Sequence, residues 1–272
     1  MKPPPSLDAP TVVAIGLFVW VAVSLLHEGV GHGGACVVVG GQPAAISTTE
    51  FRCDNVAGWS YRVVVAAGST LNLIAAALGL AALRMITPLA PTPLYFLWLF
   101  ICTNLFHAGS YMLIGPFLSY GDWSHFVQGF QPELLWKLLV TALGYGICWL
   151  GMRVASLPLW QPLIGSEPEE RRARMQWLTR LPFAAALVVS MLAALLSPLR
   201  DQGALFTAVL APAVLLWLVN LPWWPRAAEP SPPVPINRSL PWLVIGVVSS
   251  VLFVGVFGPG IGSFSGYQGA LP

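Results

Sequence analysis

Seven stretches of the chain read as apolar runs of about twenty residues, parted by polar or proline-rich intervals. They are Thr11 to His32, Tyr61 to Leu83, Leu94 to Ile114, Leu134 to Met152, Leu181 to Leu199, Gly203 to Leu221 and Trp242 to Phe257. A helix rising about 1.5 Å per residue needs about 20 apolar residues to cross the hydrocarbon of a bilayer. The pattern therefore predicts an all-α, polytopic integral membrane protein with about seven transmembrane helices, six being the nearest other count. Val37-Val38-Val39-Gly40-Gly41 either prolongs the first run or dips back as a re-entrant loop.

The intervals set the organisation. Gln42 to Ser60 carries Glu50, Arg52, Cys53 and Asp54, Gly115 to Gln131 carries Gly121-Asp122-Trp123 and His125, and Arg153 to Arg180 carries five arginines. Pro222 to Pro241 is rich in tryptophan and proline, which suits a membrane-water interface. The expected division is a membrane core over 1–130 and additional transmembrane helices with a basic loop (153–180) over 131–272. Met1 to Pro10 lacks the basic start and small-residue cleavage pattern of a removable signal and is expected to be retained.

Composition narrows the class. The 272 residues are 56% hydrophobic and 9% charged, with a mean hydropathy of +0.73, outside the range of soluble domains. A net charge of +2 without a basic face argues against a nucleic-acid partner. Seven spans place nine of the thirteen basic residues on the N-terminal side and four on the other. The excess of Lys and Arg predicts a cytoplasmic N-terminus, in a plasma membrane of the bacterial inner-membrane type. Cys36 and Cys53 flank the first loop on the opposite side, where an oxidising compartment would let them pair, whereas Cys102 and Cys148 fall within spans and read as packing residues.

Chemistry concentrates at the end of the first run, in Leu25-Leu26-His27-Glu28-Gly29-Val30-Gly31-His32-Gly33-Gly34. An ionisable group in a membrane segment is costly, and its default reading is a functional site with a partner. A His-Glu pair followed by a second His outlines a zinc-hydrolase motif, in which two imidazoles hold the metal and the carboxylate works on water. That motif spaces its histidines i and i+4, about 40° apart on a helix, whereas His27 and His32 are i and i+5, about 140° apart. Three remedies are open: a π-turn whose i→i+5 bonding realigns the pair, termination of the helix within Gly29-Val30-Gly31, or a metal that uses one histidine only. The glycines equally suit close packing of membrane helices.

The third run places Asn104, His107 and Tyr111 along one face. With the Gly/Ser/Asn-rich second run and the Gly121-Asp122 loop, the pattern resembles the site-2-protease-like intramembrane zinc metallopeptidases, over roughly residues 12 to 125. The order Gly121-Asp122 inverts the family's Asp-Gly, and Asn104 and Pro116 echo loosely the Asn and Pro that precede it there. The resemblance implies a peptidase cleaving a peptide bond in or near the membrane, with Zn2+ on His27, His32 and Asp122 and Glu28 as general base. It also implies Asn72 and Asn104 as weak candidates for substrate binding, while His107 and His125 are alternative ligands. Membrane lipid and a peptide or membrane-protein substrate would be the partners. Two other readings stand beside it: a non-catalytic scaffold or accessory subunit in which the polar set holds helices together or binds a structural metal, and a metal-dependent hydrolase of lipid.

Overall fold

The computed structural model describes residues 6–86, 89–118, 121–165, 167–221 and 233–265. Helix α1 (Ala9–Leu25) begins at Asp8, whose carboxylate accepts from the Thr11 amide at 3.0 Å, with Pro10 where a free N–H is not needed. It runs without interruption into a π-helix (Leu26–Gly33) and a short α2 (Gly34–Val38), giving one apolar rod of 30 residues. A hairpin of β1 (Gln42–Ile46) and β2 (Phe51–Asp54) follows, then α3 (Gly58–Met85), α4 (Pro91–Ile114), α5 (Asp122–Val127) and α6 (Glu133–Ala155). After α7 (Gln161–Ile164) come α8 (Pro168–Leu196), α9 (Ala204–Leu210), α10 (Leu216–Val219), α11 (Leu240–Leu252) and β3 (Ile261–Gly262).

The molecule is a helical membrane-protein bundle. Among the described residues, six helices are long and apolar enough to cross a membrane: Ala9–Val38, Gly58–Met85, Pro91–Phe117, Glu133–Ala155, Glu169–Leu196 and Leu240–Phe257. Six of the seven expected runs lie on them. The remaining run, from Gly203 to Leu221, is a shorter apolar stretch, Ala204–Val219, broken into α9, a 3₁₀ turn over Pro212–Leu215 and α10. The break falls at Pro212, which removes an amide hydrogen and whose ring crowds the preceding turn, although α8 carries Pro182 without breaking.

α4 is the central post. Tyr95, Trp98, Leu99, Ile101 and Phe106 on it are buried in the main core beside Ile15 and Trp20 of α1 and Leu178 of α8. Small residues set the closest approaches. A Cβ on Gly144 of α6 would run into the Leu113 amide nitrogen of α4, and one on Gly246 of α11 would meet Ala14 Cα of α1 at 2.7 Å. Large apolar side chains such as Leu139, Leu143, Val244, Val248 and Val251 point outward, the face that a bilayer covers.

The two ends of the bundle differ. At the first, Leu7 pairs with Ile236, and the fully buried Arg174 donates to the Leu163 carbonyl at 2.9 Å, the Val234 carbonyl at 2.7 Å and the Ser6 hydroxyl. The basic interval is thus mostly the first turns of α8 rather than a loop, and one of its arginines is a clamp. At the other end the strands form an antiparallel sheet in the order β2-β1-β3, and Arg52 of β2 donates to Asp54 and to the Ser263 and Ser265 carbonyls. Cys36 and Cys53 are disulfide-bonded, with their Cα atoms 5.9 Å apart, which ties the end of the first rod to β2.

Candidate metal centre

The i,i+5 spacing is absorbed by the backbone. Over Leu26–Gly33 the chain is a π-helix, so residues five apart stack as residues four apart do in an α-helix. His27 and His32 consequently share a face, their ring centroids 4.8 Å apart and edge-on at 84°. Of the three remedies open to the sequence, the π-turn is the one present. Gly31 lets this widened turn lie against α3, since a Cβ there would meet Gly68 Cα at 2.7 Å.

Each imidazole is fixed from behind. His32 Nδ1 donates to the Val64 carbonyl at 2.7 Å, and His27 Nδ1 to Asn72 Oδ1 at 2.8 Å. The Asn72 amide is oriented in turn, its Nδ2 donating to Asn104 Oδ1 at 2.8 Å, while Asn104 Nδ2 donates to the Phe100 carbonyl. A backbone carbonyl only accepts, so the hydrogen of a neutral His32 sits on Nδ1 and its Nε2 carries a lone pair; the same holds for His27 on Asn72. Both Nε2 atoms point toward Gly68, where a Cβ would stand 2.6 Å from each.

Asp122 arrives from the other side. Gly121 takes a φ of +83°, a left-handed turn that starts α5 at Asp122. Arg62 of α3 holds α5 by donating to the Phe126 and Gln128 carbonyls, and Trp123 donates through its indole nitrogen to Ser69 Oγ at 3.0 Å. Asp122 Oδ2 then lies 3.1 Å from His27 Nε2 and 3.4 Å from His32 Nε2. Burial alone would raise the Asp122 carboxyl, but when the imidazoles carry a proton toward it, that of His32 above all, they outweigh burial and hold the group well below the usual carboxylate range.

With neutral imidazoles three lone-pair atoms converge, an arrangement that a cation, or a proton shared between His27 Nε2 and Asp122 Oδ2, satisfies. Donors at about 2.0–2.1 Å from a tetrahedral metal lie about 3.3 Å from one another, the separation seen between Asp122 and the two imidazoles. The donor atoms of His27, Glu28 and His32 all fall within 4.8 Å of one another, and all three residues are buried. The set fits a divalent ion of the zinc class, with two imidazoles and one carboxylate and a fourth position to spare.

No family model, curated protein or solved structure matches the chain.

A cavity of about 450 Å³ opens over the cluster. Glu28, His32 and Asp122 line it, the β2 hairpin and the first turns of α3 form one wall, and the broken α9–α10 stretch supplies the other through Thr207, Trp217 and Asn220. Glu28 lines the cavity, and among the described residues no hydrogen bond engages its carboxylate.

The other expected residues fall in different places. Asn72 and Asn104 are fully buried behind His27 and do not line the cavity, a correction to their expected contact with substrate: every polar atom of Asn72 is already committed within the helix bundle. His107 stacks on Tyr111 at 4.6 Å and meets the His27 ring edge-on at 4.8 Å, which makes it a neighbour of the cluster rather than one of its converging donors. His125 lines the cavity three residues beyond Asp122; burial pushes its imidazole below the ordinary value, against the opposing pull of Asp122 and the Gln128 side chain. Gly68, Arg62 and the Val64 carbonyl escaped the sequence reading. A glycine among apolar residues and a backbone oxygen carry no signal until the partner helix is in place.

Proposed function

We propose that this protein is an intramembrane zinc-dependent peptidase whose metal is held by His27 Nε2, His32 Nε2 and Asp122 Oδ2. The observation that carries the reading is the convergence of these three atoms, each with its lone pair inward, beside a free buried carboxylate on a cavity wall. The resemblance of the His27–Gly33 motif and the Asp122 loop to site-2-protease-like metallopeptidases supports a peptide rather than a lipid as substrate.

When bound, zinc supplies a Lewis acid and brings the pKa of a coordinated water toward about 7. The chain's own residues do the rest. Asn72 and Val64 keep both imidazoles in the tautomer that offers Nε2. Glu28 accepts the proton of the attacking water and returns it to the leaving amine. The hairpin wall and the α9–α10 wall exclude bulk water, so the Glu28 carboxylate acts where charges are weakly screened.

The chain in this reading crosses the membrane seven times, because residues 6–8 and 233–236 share one end of the bundle while β1, β2 and β3 share the other. The Ala204–Val219 stretch then begins the sixth crossing. The N-terminus is cytoplasmic in a plasma membrane of the bacterial inner-membrane type, and the disulfide on the hairpin end agrees with the charge distribution in putting the metal-centre end on the oxidising side.

The test is elemental mass spectrometry of zinc in the detergent-purified protein. About one zinc per chain, lost in His27→Ala, His32→Ala and Asp122→Ala, is the expected result, with Glu28→Gln keeping its metal and losing peptide hydrolysis. A well-folded wild type that takes up no zinc on reconstitution overturns the reading and leaves a buried His–Asp pair joining helices.

A further inference from the structure

Hydrolysis of an amide places negative charge on the carbonyl oxygen, and that charge needs hydrogen-bond donors aimed at it. The two asparagines expected to bind substrate are spent behind His27. The donor must come from the cavity wall, and most polar groups there are spent as well. Trp123 donates to Ser69, Trp217 to Ser110, Thr207 to the Gly203 carbonyl and Asn220 to the Leu216 carbonyl. Glu50 and Tyr111 have contacts of their own.

Among the described residues, Thr49, Tyr61 and His125 remain on the wall, together with the second amide hydrogen of the exposed Asn220. Thr49 Oγ1 and His125 Nε2 are buried polar atoms without a hydrogen-bond partner, and no described residue engages the Tyr61 hydroxyl. Thr49 stands on the hairpin beside Glu28, where the two also share a smaller second cavity, so it lies on the side of the base. Tyr61 and His125 stand together on the side of Asp122. Their rings meet edge-on with centroids 6.1 Å apart; the charge of Asp122 acts on both, and that of Glu50 on Tyr61 as well. They come from separate elements, the first turn of α3 and the end of α5, which Arg62 locks to each other.

We propose that Tyr61 and His125 are the donors to the developing oxyanion, a role that rests on the peptidase reading above. The water oxygen bonds to the carbonyl carbon, the carbonyl π pair moves onto its oxygen, and the Tyr61 hydroxyl and the Nε2–H of His125, in the tautomer with its hydrogen on Nε2, donate to that oxygen. Glu28 takes the water proton. When the tetrahedral centre collapses, the carbon–nitrogen bond breaks and the Glu28 proton goes to the departing nitrogen. No redox partner is needed. A half-exposed tyrosine at a membrane-helix start has a plain use as an interfacial anchor, but an anchor presents its hydroxyl to water and has no reason to line the cavity of a metal centre.

Two probes separate the donors from the metal. An N-phosphoryl dipeptide presents a tetrahedral anion to the site, whereas acetohydroxamate engages only the metal and the general base. Both are titrated by isothermal calorimetry into the zinc-loaded full chain in detergent, with zinc per chain measured in parallel. Tyr61→Phe and His125→Gln are each expected to weaken phosphoryl-dipeptide binding about 10- to 100-fold and to lower kcat/KM about 10²-fold or more. Zinc content and acetohydroxamate binding stay at wild-type values, and they also report that the variants are folded. Unchanged phosphoryl-dipeptide affinity in both variants overturns the donor assignment and leaves the metal centre standing. Failure of the zinc-loaded wild type to bind the phosphoryl dipeptide overturns it too. A wild type with neither zinc nor acetohydroxamate binding overturns the metal centre and the donors with it.

Discussion

Gly68→Ala tests the metal centre without touching a ligand. A methyl at this position would stand 2.6 Å from His27 Nε2 and 2.6 Å from His32 Nε2, where ordinary contact begins at 3.4 Å. Each ring would have to retreat by about 0.8 Å, or α3 would have to back away from the π-helix. The second escape would pull apart the close packing of Gly31 on Gly68, where a Cβ on Gly31 would meet Gly68 Cα at 2.7 Å, and would draw the Val64 and Asn72 acceptors away from the imidazoles. Metal–ligand distances tolerate about ±0.2 Å, so the rings cannot give way and keep the ion. Overpacking itself costs about 1–3 kcal/mol, which a folded bundle survives. The expected variant is therefore folded, with a modestly lowered Tm, and holds well under one zinc per chain by elemental mass spectrometry. Gly34→Ala is the control, because a Cβ there meets nothing within 4 Å, and it should leave zinc unchanged. A Gly68→Ala protein with one zinc per chain and a wild-type Tm would refute the convergence of the two Nε2 atoms.

Asn72→Ala removes the acceptor for His27 Nδ1 and orphans Asn104, and loss of such an orienting partner is expected to weaken zinc 10- to 100-fold, read by competition with a chromogenic chelator. Glu28→Gln keeps the size and removes the base, so zinc stays stoichiometric while hydrolysis of a membrane-peptide substrate falls about 10²- to 10⁴-fold; retained turnover would take the base role from Glu28. Cys36→Ser with Cys53→Ser opens a loop of 17 residues and is expected to cost about 3 kcal/mol, seen as a lowered unfolding temperature in detergent. Maleimide should label none of the cysteines in the native, unreduced protein, since Cys102 and Cys148 are buried, and any labelling before denaturation would contradict the bundle.

How much of this was legible before the fold is a matter of length scale. Apolar runs of twenty residues announce membrane helices, because hydrocarbon thickness imposes one length on all of them, and six such helices are present. The stretch from Gly203 to Leu221 passed the same composition test, yet its Pro212 acts through a single missing amide, which an average over twenty residues does not register. The pairing of Cys36 with Cys53 was open in the sequence, since the separation of two Cα atoms across a hairpin depends on where the first rod ends, and it ends at Val38, close to β2.

The site divides along the same line. His27, Glu28, His32 and Asp122 are conspicuous because charge in an apolar run is rare, but their geometry depends on a backbone choice that composition does not announce. One residue too many separates the histidines for an α-helix, and one residue is what a π-turn takes up. A π-turn opens the helix and exposes its backbone to the neighbour, and here the neighbour is itself a glycine, Gly68, set against Gly31. Gly31 thus serves both readings that the sequence left open: it packs two helices closely, and that packing goes with Val64 and Asn72 of α3 lying within hydrogen-bonding distance of the imidazoles, whereas Gly29 and Gly33 face Ile46 and Phe51 of the hairpin. Packing element and proposed metal centre are one construction. A longer spacing between the histidines is then compatible with a ligand pair, provided that the facing helix offers a residue without a side chain at the point of contact.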